Sequence, residues 1–324
     1  MKKKNKKRNL ILLLIVSVIM LGTTTYAWFT ANQVVTINSI DVKVEASNGL
    51  QISTNAAQWK SVLTNADITA GYSGHVNQLP ATVTNVSTDG TVDQTAGRLN
   101  MYKAVIGNDA STGDYNITTS LEGDRAGSTG NYIAFDVFLR VDKDQAIYLT
   151  TDSNVVPKTG TEDKGLKNAS RVGFVVLGHG ASTDQPSDLT ALSNSVASKA
   201  IIWEPNYDAH TSMVTDSVAS EFGVTLSGTA NTPYYGVNKE ITTAIDLKEL
   251  VNGTNTTDAT LVTPNIITPV TPTQYEKAFD LQAGVTKMRI YMWIEGQDID
   301  CENNATGSDI SYNLQFSTQS SAGV

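Results

Sequence analysis

One cysteine, Cys301, stands among 324 residues, so no disulfide can form within the chain and a small disulfide-stapled fold is excluded. The three histidines, His75, His179 and His210, fall in no H-E-x-x-H register, which removes the zinc-protease constellation. A G-x-S-x-G elbow and a G-x-x-x-x-G-K-[ST] phosphate loop are also missing. Basic charge is scarce beyond the first eight residues: the chain from Trp28 onward carries 17 Lys+Arg against 32 Asp+Glu, a net charge of −15. Phosphate backbones are bound by clustered Lys and Arg, so nucleic acid is excluded as a partner. Long apolar runs are lacking too, with one exception at the N-terminus.

That exception is organised as an export signal. Lys2, Lys3, Lys4, Lys6, Lys7 and Arg8 form a positive cluster, and an apolar run from Leu10 to Gly22 follows. Small residues Thr25 and Ala27 flank Tyr26, so signal peptidase is expected to cut between Ala27 and Trp28. The run falls short of the roughly 20 residues that cross a bilayer comfortably. The alternative is an uncleaved anchor in which Tyr26, Trp28 and Phe29 extend the span as an interfacial belt. Either way the remainder is exported, and the membrane is touched only through the leader. The expected division is a signal segment over 1–27 and an extracellular domain over 28–324.

The exported part is rich in Thr, Val and Ile, which suit a pleated, half-buried surface. Val34–Val44 reads VVTINSIDVKV, and its apolar positions change face near Asn38-Ser39, as expected of two short strands or one bulged strand. A short strand is expected over Leu50–Ser53. Tyr132–Val141 alternates cleanly, and Ala146–Thr150 is expected to return beside it as a hairpin across the Asp142-Lys143-Asp144 turn. Val172–Leu177 and Ala200–Trp203 read as central strands, with Gly178-His179-Gly180 as a flexible turn. Met288–Ile294 and Ile310–Phe316 are expected to pair antiparallel across the 296–308 loop. Helices are expected over Ser187–Ala200, with Ser187 as N-cap, and over Thr242–Val251. Asn252–Thr273, with Pro264, Pro269 and Pro272, reads as an extended loop or edge segment. Many short strands with few helices predict a mainly β fold, a β-sandwich or jelly roll.

The acidic stretch from Glu295 to Asn304 is the one place where site chemistry gathers. Asp298, Asp300 and Glu302 present oxygens at alternating positions, which suits calcium, although the full EF-hand register is lacking. The alternative is a solvated turn, with no cofactor. Cys301 lies between Asp300 and Glu302, which disfavour its thiolate, so it is not a nucleophile. N-x-[ST] occurs at Asn85, Asn116, Asn168, Asn252, Asn255 and Asn304, matches that arise readily in an Asn- and Thr-rich chain.

Thr25-Tyr26-Ala27-Trp28-Phe29-Thr30, with a β segment starting at Val34, resembles the leader junction of TasA/camelysin-like secreted proteins of Gram-positive bacteria. Met292-Trp293-Ile294-Glu295-Gly296-Gln297-Asp298-Ile299-Asp300-Cys301 resembles a W-[LI]-E-G-x-D-x-D-C signature of exported proteins from the same lineages. The resemblance implies a jelly-roll domain on the cell surface or in the extracellular matrix, polymerised into fibres in some members, with inserted loops around 151–236. It carries over no metalloprotease activity, since no zinc motif is present. Export without an active-site motif leads to a non-enzymatic surface or matrix structural protein that self-associates through its N-terminal strand. An adhesin-like glycan or protein binder, using Trp59, Trp203, Tyr234 and Tyr235, is the first rival; a hydrolase with dispersed catalytic residues is the second.

Overall fold

The computed structural model describes residues 34–322 apart from 46–48, 110, 113, 162–164, 207–208, 213, 216–218, 227–233, 268–270 and 302–306. The leader, the Ala27–Trp28 junction and Glu302 therefore lie outside the described residues. In chain order the strands are β1 (Val35–Val44), β2 (Gln51–Ser53), β3 (Val62–Leu63), β4 (Thr82–Val83), β5 (Val92–Asp93), β6 (Arg98–Leu99), β7 (Met101–Asn108), β8 (Tyr115–Glu122), β9 (Ile133–Val141) and β10 (Gln145–Leu149). There follow β11 (Asn154–Pro157), β12 (Ser170–Gly180), β13 (Ile201–Glu204), β14 (Tyr234–Val237), β15 (Ile241–Asp246), β16 (Ala259–Val262), β17 (Ile266–Ile267), β18 (Glu276–Leu281), β19 (Gly284–Ile294) and β20 (Asp309–Ser317). The described helices are short: α1 (Asn65–Ala70), α2 (Pro186–Ala191), α3 (Ala219–Phe222) and α4 (Leu247–Val251). The fold is mainly β, as the β-branched composition predicts.

Two sheets share the main core. The first runs β18-β10-β20-β1-β3, with β11 also on β20 and β4 also on β1; the second runs β17-β13-β12-β19-β9-β2. Between them pack Val42, Ile147, Leu314 and Phe316 from the first sheet and Phe135, Val137, Phe174 and Ile290 from the second. Phe174 meets Phe279 and Phe316 at ring-centroid distances of 5.6 and 5.8 Å, so three aromatics stitch the two sheets together. A third layer covers the opposite face of the second sheet: Val86, Leu99, Met101 and Tyr234 pack on Tyr132, Tyr291 and Trp293. This explains why every residue of β19 is buried.

β1 is a single bulged strand. Val35 is buried before the register shift between Ile37 and Ser39, and Ile40, Val42 and Val44 are buried after it. The extra residue moves the inward face from odd to even positions, as the sequence pattern predicts. Ile40 N–H, freed near the bulge, donates to Asn65 Oδ1 at 3.1 Å.

Several pairings differ from the sequence reading. β10 does not return beside β9; it crosses to the other sheet and pairs with β18 and β20. β19 and β20 do not pair: β19 lies between β12 and β9, and β20 runs parallel to β1. A short connection fits a sheet-to-sheet crossing as well as a hairpin. The discriminating signal was burial on both faces of β9 and β19, which demands neighbours on both edges and a layer above. Gly178-His179-Gly180 is not a turn but the end of β12, paired with Val285–Lys287.

The predicted helices are shorter. The first starts with Pro186 at N1, so that Gln185, which makes no side-chain cap hydrogen bond, and not Ser187, takes the N-cap position; it stops at Ala191, and Val196 is 69% exposed. The second loses its first half to β15, where Thr242 and Thr243 favour strand, and begins only after Asp246, whose Oδ1 accepts from Lys248 N–H at 2.9 Å. The 252–273 stretch forms β16 and β17. The 151–236 stretch supplies β11, β12 and β13 to the two main sheets.

Candidate functional site

The acidic stretch is a buried clasp at the end of β19. Glu295, fully buried, accepts hydrogen bonds from Trp293 Nε1 (3.0 Å), Gln297 N–H (3.1 Å) and Thr88 N–H (3.4 Å). Its backbone N–H donates to Ala169 O and that of Gly296 to Val86 O, both at 2.8 Å. The turn then closes on itself: Asp298 Oδ1 accepts from Asp300 N–H at 2.8 Å, and Cys301 N–H donates to Asp298 O at 3.0 Å. Cys301 is itself buried in the main core. Within the W-I-E-G-Q-D-I-D-C run, Trp293, Glu295, Gly296, Gln297, Asp298, Asp300 and Cys301 thus each take part in a hydrogen bond that fixes the turn, while Ile299 packs into a neighbouring apolar cluster.

The cation facing the clasp comes from β12. Arg171, fully buried, binds the carboxylates of Asp298 and Glu204; its Nη2 lies 2.6 Å from Glu204 Oε1. Its Nη1 donates to Asn168 O and Ser170 O, both at 3.0 Å, and its guanidinium stands 5.2 Å from the centre of the Tyr234 ring. Asp300 is engaged separately: its Oδ2 lies 2.7 Å from His210 Nδ1 and its Oδ1 accepts from Thr211 N–H at 3.1 Å.

Arg171, Glu204 and His210 belong to no sequence motif; His210 lies outside any H-E-x-x-H register. A lone arginine entering an apolar strand run (Ser170–Leu177) was the available signal, since a buried charge requires a partner. Of the predicted calcium ligands, Asp298 and Asp300 lie together in this turn, with Arg171 on the first carboxylate and the His210 ring on the second. The solvated-turn alternative is replaced by a buried one. Trp203 and Tyr234, proposed as exposed sugar platforms, are buried, and Trp59 carries Arg140 over its ring at 4.3 Å.

No protein-family model, curated protein or solved structure matches the chain.

The clasp sets a direction for stability against pH. Burial raises Glu295 to about 7 and Glu204 to about 8, above the ordinary glutamate value of 4.5. The Asp300 carboxylate holds His210 above the ordinary histidine value, against the effect of burial. Groups raised in the folded state contribute stability that is complete below their unfolded pKa and is lost as pH rises through the folded one. Thermal midpoints are therefore expected to fall between about pH 5 and 8. Glu204→Gln, which keeps Asp298 on Arg171, should flatten that fall in a differential scanning series. A profile that rises across the same window would contradict this assignment.

Proposed function

We propose that this is a non-enzymatic, exported cell-surface or extracellular-matrix structural protein, kin to the TasA/camelysin-like proteins, that assembles through its N-terminal strand. The observation that carries the reading is the position of β1. It runs parallel to β20 over Thr36–Val44 and, among the described residues, meets the two-residue strands β3 and β4 on its other edge. Parallel neighbours cannot be joined by a tight turn, so β1 enters its slot from outside the local chain path. A second copy can offer the same strand to the same slot, the exchange that turns a closed monomer into a chain of subunits. The carboxyl groups of the clasp are engaged by Arg171, His210 and backbone N–H groups of the fold itself, which supports the non-enzymatic reading.

On this reading the basic cluster and apolar run export the chain, and signal peptidase frees an end at Trp28. Mass spectrometry of the cell-surface fraction is expected to find a chain beginning at Trp28, and negative-stain images of that species at high concentration should show filaments. Recovery of only the full-length membrane-bound chain, or of only monomers at high concentration, would overturn the proposal.

A further inference from the structure

The outer face of the first sheet holds a polar cleft of about 250 Å³. Three adjacent strands build it. Asp41 of β1 lies across from Asn313 of β20, Lys43 across from Gln315, and Asn154 of β11 across from Asn313 on the other side. The inward neighbours of these residues, Val42, Leu314 and Val155, are in the core. The side chains at 41, 43, 154, 313 and 315 therefore stand outward, and Asp152 closes one end.

Two hydrogen bonds pre-set the cleft. Asn313 Nδ2 donates to Asn154 Oδ1 at 2.7 Å, and Gln315 Nε2 donates to Glu45 Oε1 at 3.2 Å. Asn154 Nδ2 is left as a donor, and Asn313 Oδ1 and Gln315 Oε1 as acceptors. Among the described residues, no hydrogen bond or ion pair engages the side chains of Asp41, Lys43 and Asp152. One concavity thus offers donors and acceptors side by side, at fixed spacing, on rigid strands.

This composition discriminates among ligands. A phosphate would face the carboxylates of Asp41 and Asp152. A hard cation would face the ammonium of Lys43. An added peptide strand cannot pair with β20 at the floor of the cleft, because β20 is bonded to β1 on one side and to β10 and β11 on the other. The ligand class that needs closely spaced donors and acceptors without net charge is a polyol, since each hydroxyl both donates and accepts. The chain's net charge of −15 beyond the leader also disfavours an acidic polymer. We propose that this cleft binds a neutral sugar unit of a polysaccharide, held by Asp41, Lys43, Asn154 and Asn313.

The site depends on neither export nor assembly, and because β1 supplies two of its groups, a bound sugar ties β1 to β20. The test is isothermal titration of the whole chain with cellotetraose, maltotetraose and chitotetraose. At least one is expected to bind with one-to-one stoichiometry and to raise the thermal midpoint, because it binds only the folded state. Asn313→Ala should weaken that binding at least tenfold, and Asn154→Ala should weaken it as well. Both residues are partly exposed on the outer face, so circular dichroism should be unchanged. Failure of all three saccharides to bind, or binding that both variants leave intact, would overturn the proposal.

Discussion

Arg171→Ala is expected to cost about 3–5 kcal/mol of folding stability, the usual effect of removing one partner from a buried ion pair. The arginine is fully buried, and two carboxylates converge on its guanidinium. Its loss leaves Glu204 and Asp298 buried near each other without the guanidinium that binds both. It also frees the carbonyls of Asn168 and Ser170, which accept from the same side chain. Urea unfolding should show a lower midpoint with an unchanged slope, since the surface exposed on unfolding is the same. Arg171→Met combined with Glu204→Gln and Asp298→Asn should recover much of the loss, because no uncompensated charge then remains. A single Arg171→Ala variant as stable as the parent would show that the clasp carries little stability.

A second buried network behaves oppositely in acid. On the other half of the second sheet, Arg289 Nε lies 2.7 Å from Asp136 Oδ1, and Lys287 Nζ lies 3.5 Å from Asp136 Oδ2. Burial alone would raise the Asp136 carboxyl, but Arg289 and Lys287 bring it below the ordinary aspartate value. Its contribution is present at neutral pH and is lost as pH falls through the folded value, the reverse of the clasp.

Strand identity was legible in the sequence wherever the period-2 alternation was clean, as in Ile133–Val141, and even the β1 bulge showed as a change of face at Asn38-Ser39. Partnership was not legible. β9 and β10 are separated by three residues, a spacing that suits a hairpin, yet the chain uses it to cross between sheets. The sign against the hairpin was chemical: Phe135, Phe138 and Ala134 load both faces of β9, which an outer strand with one wet face would not require. The site was half legible. Asp298 and Asp300 stood out as a cluster, but their partners Arg171, Glu204 and His210 lie roughly 90 to 130 positions away, brought close by the β12–β19 pairing. No local pattern carries that distance. The outer cleft was invisible for the same reason, since it needs β1, β11 and β20 side by side.

Removal of β1 is the other change expected to have a large effect. Val35, Ile40, Val42 and Val44 are at most 6% exposed, and burial of such side chains is worth roughly 1.5–3 kcal/mol each. Their sum is comparable to the whole stability of a typical domain, about 5–15 kcal/mol. β20 would also lose its parallel partner along one edge, leaving backbone N–H and C=O groups unpaired beside an open core. A chain beginning at Glu45 should therefore lose its cooperative thermal transition or unfold well below the parent.

Whether the slot accepts that strand from outside is the question on which the assembly proposal turns. The most direct measurement is to add a synthetic Val34–Glu45 peptide to the chain beginning at Glu45 and follow the thermal transition and the stoichiometry of binding. Recovery of a cooperative transition at one peptide per chain, abolished in a peptide carrying Val42→Asp, is the expected result. A shortened chain as stable as the parent, or one that no concentration of peptide restores, would contradict a strand that can be supplied in trans.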